Sequence, residues 1–277
     1  MGAPVKAAER LHIDAQYYRQ FDADFARDVP GEGYGGWQRE AVELDRARIG
    51  VALMHAWDTG SRDDYPGWHR AVEYMPRAQE IGQQVLPPLL AALRRAGMPL
   101  FHVVGGGGYY QEYPGYKRAV ALAGPPSPAP QRIEADEGLQ ALHRLRQEKA
   151  FPGGHNLADI GRGFDKLDFM PQARPQGEEG VAENGDQLFA LCQEQGVNHL
   201  IYAGFAINWC LLLSPGGMAD MQKRGFMCSA LRQAVTAVEN KETARGELAK
   251  EIGLWRVALA FGFVFDVDDL VAALAAE

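Results

Sequence analysis

The chain has 277 residues, of which 47% are hydrophobic, and a formal net charge of −8 at pH 7. This length suffices for one large domain or two small ones, and the composition allows a substantial buried core. The negative charge argues against nucleic acid or an anionic membrane as the main partner, and no apolar run is long enough to predict a transmembrane helix.

The cysteines and the first residues bear on the cellular compartment. Cys192, Cys210 and Cys228 are an odd number without the spacing of a disulfide framework, which suits free thiols in a reducing cytosol. The first residues lack the apolar core of a secretory signal. We therefore expect a cytoplasmic protein.

The N-terminal region is polar and ends in a glycine-rich run. Residues 1–36 predict an extended arm or a partly disordered terminus, and residues 37–47 predict a short helix. No shift in composition marks a boundary after this region. We therefore expect one domain over residues 37–277.

Apolar runs alternate with helical patterns through the rest of the chain. The runs at residues 49–57, 98–104 and 199–203 are nearly continuous, which is typical of parallel strands buried on both faces. Shorter strands are predicted at 164–169, 226–230 and 262–265, helices at 67–96, 136–149, 181–195, 231–261 and 266–276, and loops at 109–135 and 153–163. This alternation predicts an α/β fold, a three-layer α/β/α domain with a central, mostly parallel sheet of five to six strands. We expect residues 49–55 and 199–204 to form neighbouring central strands.

A strand, a loop, a cysteine and a helical pattern follow one another around residue 210. The apolar run stops at Gly204, Cys210 follows a tight turn, and a helical pattern runs on to Gly225. Parallel sheets carry their active sites beyond the carboxyl ends of strands, and the first turn of a helix favours a thiolate. The pattern fits a nucleophile, and it equally fits a small buried cysteine.

Residues 204–210, GFAINWC, resemble the nucleophile loop of the isochorismatase-like cysteine hydrolases, which include nicotinamidases and N-carbamoyl amidohydrolases. The resemblance covers about residues 160–239. It implies hydrolysis of a small amide, carbamoyl or related C–N substrate through an acyl-thioester intermediate. It also implies oxyanion donors at the backbone N–H groups of Ala206 and Cys210, a cis peptide bond between Phe205 and Ala206, and a homodimer or homotetramer.

The same family uses a lysine and an aspartate beside the cysteine. The resemblance places the lysine at Lys166, whose ammonium would favour a thiolate; the other interpretation is an exposed surface lysine. The length of the first apolar run places His55 at the aspartate position, whereas a shift by three residues places Asp58 there. We favour His55 on position, which predicts a resting imidazolium beside a thiolate and a raised histidine pKa.

We expect no metal and no cofactor. Nicotinamidases hold a divalent ion with an Asp-x-His and a further histidine, and this sequence has no Asp-x-His. The glycine run at residues 105–108 does not open a helix, which disfavours a dinucleotide site.

The expected ligand is a small molecule, for which Trp57, Trp209 and Asn208 are candidate pocket residues. The alternative is a catalytically inactive member of the family that binds a small molecule or a protein partner in the same crevice. The mismatch at the aspartate position favours that alternative.

Overall fold

The computed structural model of the protein describes residues 10–125, 128 and 131–275. Its strands are β1 (Arg10–Arg19), β2 (Gly36–Asp45), β3 (Ile49–Met54), β4 (Trp57–Asp58), β5 (Leu100–Val103), β6 (Asp168–Phe169), β7 (Gly180–Ala182), β8 (His199–Phe205), β9 (Met227–Thr236) and β10 (Val264–Phe265). Its α-helices are α1 (Pro66–Ala71), α2 (Met75–Gln84), α3 (Leu86–Arg95), α4 (Pro114–Ala123), α5 (Glu137–Lys149), α6 (Leu157–Phe164), α7 (Gly185–Gln195), α8 (Cys210–Leu213), α9 (Met218–Lys223), α10 (Leu248–Ala260) and α11 (Val267–Ala275).

The main sheet has eight strands in the order β2-β1-β10-β9-β8-β3-β5-β7. All neighbours from β10 to β7 are parallel, which confirms the predicted mostly parallel sheet. The predicted central pair is also confirmed, because β3 and β8 lie side by side from Ile49 opposite His199 to Met54 opposite Gly204. The expected number of five to six strands was too low.

Two of the additional strands form an N-terminal hairpin. β1 and β2 pair antiparallel along their whole lengths, from Arg10 opposite Asp45 to Arg19 opposite Gly36. The predicted helix at residues 37–47 is therefore wrong, and the expected arm contains a strand; residues 1–9 of that arm lie outside the described part. β1 forms a strand because its buried residues recur with a period of two: Leu11, Ile13 and Ala15 pack against the core.

Helices cover both faces of the sheet, as a three-layer domain requires. Alternate residues of β3 and β8 enter two separate core clusters, one on each face. α2, α3 and α11 pack on the first face, and α7, α9 and α10 pack on the second. In the described residues, no helix is long and apolar enough to cross a membrane.

Several predicted helices and loops were wrong in their extents. The helical pattern of residues 67–96 forms three helices, and the last begins at Leu86, with prolines in the first turn where their missing N–H groups cost nothing. The predicted loop at 109–135 contains α4, which begins at Pro114, where the missing N–H group again costs nothing. Residues 126, 127, 129 and 130 of that predicted loop lie outside the described part. The predicted loop at 153–163 contains most of α6. Residues 231–236 continue β9 instead of forming a helix, because the sheet buries most of this segment.

Candidate active site

The ends of the two central strands meet at Gly204. This residue has a φ of +110°, and a Cβ atom built on it would lie 1.9 Å from the carbonyl oxygen of Met54. Only glycine tolerates both the conformation and the approach. β3 and β8 therefore end side by side: His55 directly follows β3 and Phe205 ends β8, both at the carboxyl ends of the parallel strands.

Cys210 begins the short helix α8, directly after the loop of residues 206–209. The peptide bond between Phe205 and Ala206 is cis. The helical pattern expected to run to Gly225 is interrupted after Leu213, because Pro215 disfavours a helical conformation at Ser214, whose ψ is 161°. The sequence predicted a long helix after Cys210, but α8 spans only four residues. Few aligned peptide dipoles therefore act on Cys210.

The loop presents two unpaired backbone donors. Ile207 N–H donates to Thr236 O at 2.8 Å, and Trp209 and Leu211 N–H both donate to Ala206 O at 3.1 Å. The N–H groups of Ala206 and Cys210 donate to no acceptor within the described residues. They are the two groups that the resemblance implies as oxyanion donors; Cys210 lines the cavity described below, whereas Ala206 is buried next to Phe205, which lines it.

The Asn208 side chain fixes this loop to a neighbouring segment by two hydrogen bonds. Its side-chain amide donates to Val238 O at 2.9 Å, and its side-chain oxygen accepts from Val238 N–H at 3.0 Å. Both bonds hold the loop to the chain that follows β9. Because Asn208 does not line the cavity described next, the structure does not bring it into the expected substrate pocket.

Cys210 and His55 line one cavity of about 280 Å³. Trp57 and Trp209, two of the candidate pocket residues, line it as well. The rest of the wall comes from the segment 59–78, from residues 151–170, and from Phe205 and Val238. A larger depression of about 460 Å³ lies between α3 and α11, and no described cysteine, serine or histidine lines it.

His55 has a neutral ring in an apolar setting. Its ring stacks on Trp57 with 4.3 Å between ring centroids, and its Nδ1 atom is buried and has no hydrogen-bond partner among the described residues. Burial lowers the pKa of His55 to about 4, so the ring is uncharged at pH 7. The predicted resting imidazolium with a raised pKa is therefore wrong, because removal from water outweighs any stabilisation of the charged ring.

The structure places Asp58 and Lys166 outside this cavity. The exposed carboxylate of Asp58 accepts a hydrogen bond from Gly60 N–H at 3.0 Å, and β4 pairs it with Asp168 of β6. Lys166 is exposed in the turn after α6 and does not line the cavity. Neither side chain is brought together with Cys210.

Other wall residues were not predicted from the sequence. Thr59 lines the cavity, and its Oγ1 atom is buried with no hydrogen-bond partner in the described part of the chain. Tyr74 also lines it, and burial, with smaller contributions from Cys210 and Glu73, raises the pKa of its hydroxyl. Thr59 follows an apolar strand within a polar loop, a signal that the sequence did offer; Tyr74 lies within a helical pattern and carries no such signal.

The other two thiols are enclosed in the core. Cys192 and Cys228 are fully buried, and burial raises the pKa of Cys228 to about 12 and also raises that of Cys192. Within the described part of the chain, no group of three His, Cys, Asp or Glu side chains could hold a metal ion.

No family model matches the chain, and no curated protein matches its sequence. In structure the chain is similar to a cysteine hydrolase from Pseudomonas syringae pv. phaseolicola 1448A, with 13% identity and a TM-score of 0.46 over 84% of this chain and 95% of that chain. It is also similar to an isochorismatase from Pseudomonas putida KT2440, with 16% identity and a TM-score of 0.41 over 80% and 89% of the two chains. An isochorismatase-like hydrolase from Alkaliphilus metalliredigens has 15% identity and a TM-score of 0.42 over 82% and 98%. These names are those of the family that the sequence around Cys210 resembles, the isochorismatase-like cysteine hydrolases.

Proposed function

We propose that the protein is a cysteine-dependent hydrolase that cleaves a small amide, carbamoyl or related C–N substrate through an acyl-thioester intermediate. One observation carries this proposal: a thiol and a neutral imidazole, those of Cys210 and His55, line one cavity beside a loop with two unpaired N–H groups. A nucleophile, a base and oxyanion donors are the groups that acyl transfer needs.

In the proposed reaction, His55 takes the thiol proton as Cys210 Sγ attacks the carbonyl carbon. The negative charge on the carbonyl oxygen is met by the N–H groups of Ala206 and Cys210. The C–N bond then breaks, and the leaving nitrogen takes the proton from His55. Water attacks the thioester, again with His55 as the base, and releases the acid and the free thiol.

This assignment differs from the family pattern in its proton-transfer group. Lys166 and Asp58 are exposed and lie outside the cavity, so the proposal gives neither of them a role. Burial keeps the His55 ring neutral at pH 7, so it can accept a proton there, and its low pKa also makes it a weaker base than an ordinary histidine.

A second candidate function is supported by a separate observation. No hydrogen bond joins Cys210 to His55 in the described residues, and no carboxylate lines their cavity. An inactive member of the family, which binds a small molecule in the same crevice, would keep the apolar cavity without a working proton relay.

Mass spectrometry separates the two candidates. The protein is incubated with a panel of amides and carbamoyl compounds, quenched in acid and digested, and product formation is measured in parallel. An acyl adduct on Cys210, lost together with turnover in Cys210→Ser and retained in a folded Cys192→Ala control, supports the hydrolase. Ligand-induced thermal stabilisation without adduct or product supports the inactive binding protein.

The resemblance and the free thiols support two further points of the proposal. The enzyme would act as a cytoplasmic homodimer or homotetramer on a small molecule, without nucleic acid, membrane or a cofactor. Light scattering coupled to size-exclusion chromatography would measure the oligomeric state, and a mass equal to that of one chain would contradict the proposal.

A further inference from the structure

The wall of the Cys210 cavity is mainly aromatic and aliphatic. Trp57, Trp68 and Phe164 form one continuous group, with ring centroids 5.9 Å apart between Trp57 and Phe164 and 5.1 Å apart between Trp68 and Phe164. Trp209 lies in the same wall and packs on Phe151 at 5.4 Å. Such a wall can cover the faces and edges of an aromatic or branched apolar group.

The described wall of the cavity carries no ionised side chain. Among the described residues that line the cavity there is no lysine, arginine, aspartate or glutamate. Burial of an unpaired charge is costly, so a carboxylate or an ammonium on the ligand would enter without a counter-ion. The cavity therefore disfavours a charged ligand of either sign.

The cavity offers few polar groups, and they suit one amide. Trp57 Nε1 is already bonded to Tyr109 Oη at 2.8 Å. His55 Nδ1 and Thr59 Oγ1 are buried without partners, and both residues line the cavity. A wall with so few polar groups suits a ligand with a single small polar function, whereas a sugar or another polyhydroxylated ligand would leave most of its own groups unpaired.

The volume sets the size of the ligand. An apolar cavity of about 150 Å³ is large enough for benzene, so a cavity of about 280 Å³ has room for one ring and a short polar group. We propose that the site selects an uncharged amide whose acyl carbon bears an aromatic or branched apolar group. This inference rests on the proposed function, because it names the substrate class of the Cys210 site.

A matched set of amides tests the proposal. Values of kcat/KM are measured for benzamide, acetamide and 4-carboxybenzamide, which differ in apolar area and in charge. Benzamide should exceed each of the other two by about tenfold or more, in line with the usual discrimination by an apolar pocket. Equal or higher values for acetamide or for the anionic amide would overturn the inference.

Two variants test whether the aromatic wall of the cavity causes the expected preference for benzamide. Phe164→Ala should lower kcat/KM for benzamide by about tenfold, mainly through KM, and change that for acetamide by less than about twofold. Phe164 is 37% exposed, so its truncation leaves the core intact. Leu142→Ala is the matched control, since Leu142 is an exposed residue of α5 outside the cavity, and it should change neither value. A loss with acetamide as large as that with benzamide would contradict a role of the wall in selection.

A binding experiment keeps this inference separate from the proposed hydrolysis. Thermal melting of Cys210→Ala is measured with the same three amides. Stabilisation by benzamide and not by 4-carboxybenzamide, together with no turnover or adduct in the native protein, would reject the hydrolase and retain the ligand class. Turnover that favours the anionic amide would retain the hydrolase and reject the ligand class.

Discussion

Gly204 and Met54 face each other across the two central strands, at a distance that leaves no space for a side chain on Gly204. A Cβ atom there would lie 1.9 Å from the Met54 carbonyl oxygen, and the φ of +110° is already unfavourable for any other residue. Because His55 follows Met54 and residues 205–209 follow Gly204, this contact sets the separation of His55 from the loop that leads to Cys210.

Gly204→Ala should therefore destabilise the protein and abolish activity. Backbone strain and overpacking each cost about 1–3 kcal/mol, so the free energy of unfolding should fall by about 3 kcal/mol or more. Urea unfolding measures this change. Gly161→Ala is the control, since an added Cβ in α6 would have no neighbour within 4 Å, and a gain of up to about 1 kcal/mol is expected there. Equal stabilities for the two variants would contradict the close contact.

The three thiols should differ strongly in their reaction with iodoacetamide. Cys192 and Cys228 are buried with raised pKa values, whereas Cys210 is partly exposed at the cavity. Alkylation at pH 8 should therefore modify Cys210 first and leave the other two unmodified until the protein unfolds. Peptide mapping after short exposure gives the result, and comparable labelling of all three in folded protein would argue against it.

The pH dependence of turnover should follow the low pKa of His55. The ring remains an unprotonated base down to about pH 4, so kcat/KM should lack the fall near pH 6.5 that an ordinary histidine base produces. Its acidic limb should instead appear near pH 4. His55→Gln should lower kcat/KM by about 100-fold or more. A limb near pH 6.5 in the native protein would show that the imidazole is far better solvated than the structure indicates.

Asp58→Asn and Lys166→Met should retain kcat/KM within about twofold. Both side chains lie outside the cavity, and surface substitutions of this kind change stability by about 0.5 kcal/mol or less. Steady-state kinetics with each variant, beside His55→Gln, gives the comparison. If either variant loses turnover while His55→Gln retains it, the Asp–Lys–Cys arrangement of the family applies here.

The free energy of unfolding should decrease at acidic pH, because the buried His199 resists protonation. Its ring is buried, Nε2 lies 2.8 Å from Ser229 Oγ, and burial lowers the pKa to about 4. The unfolded histidine takes up a proton near pH 6.5 and the folded one does not, so the free energy of unfolding decreases as the pH falls from 6.5 to 4, by up to roughly 3 kcal/mol.

His199→Asn should reduce this dependence, although it also loses the bond to Ser229. The measured quantity is the difference in the free energy of unfolding between pH 7 and pH 4.5, from urea titrations of both proteins. A difference unchanged by the substitution would assign the acid sensitivity to other groups, such as His55 and His102, whose pKa values burial also lowers.

Continuous apolar runs made the central strands predictable. β3, β5 and β8 are buried on both faces, and only such burial allows apolar residues at every position. β1 was missed because its buried residues, Leu11, Ile13 and Ala15, alternate with polar ones in a segment that is polar on average. That signal was present in the sequence, as was Pro114 at the start of α4.

The candidate site was predictable where it follows the strands. His55 comes directly after β3, Cys210 follows β8 after a loop of four residues, and the sheet brings the two strand ends together. The positions of Lys166 and Phe164 depend on how α6 packs against the rest of the protein. No local sequence pattern predicts that packing. α6 turns Phe164 toward the cavity and leaves Lys166 in solvent two residues later.

The two hydrogen bonds between Asn208 and Val238 have a consequence for how this protein can change over evolutionary time. They anchor the loop of residues 206–209 to the chain after β9, while much of the cavity wall, including Trp68, Ile160 and Phe164, belongs to helices that take no part in that anchorage. Substitutions in those helices can alter which molecule fits without disturbing the loop. Part of the cavity wall is thus carried by segments separate from the loop that precedes Cys210, and a lineage can alter those segments while it keeps the loop.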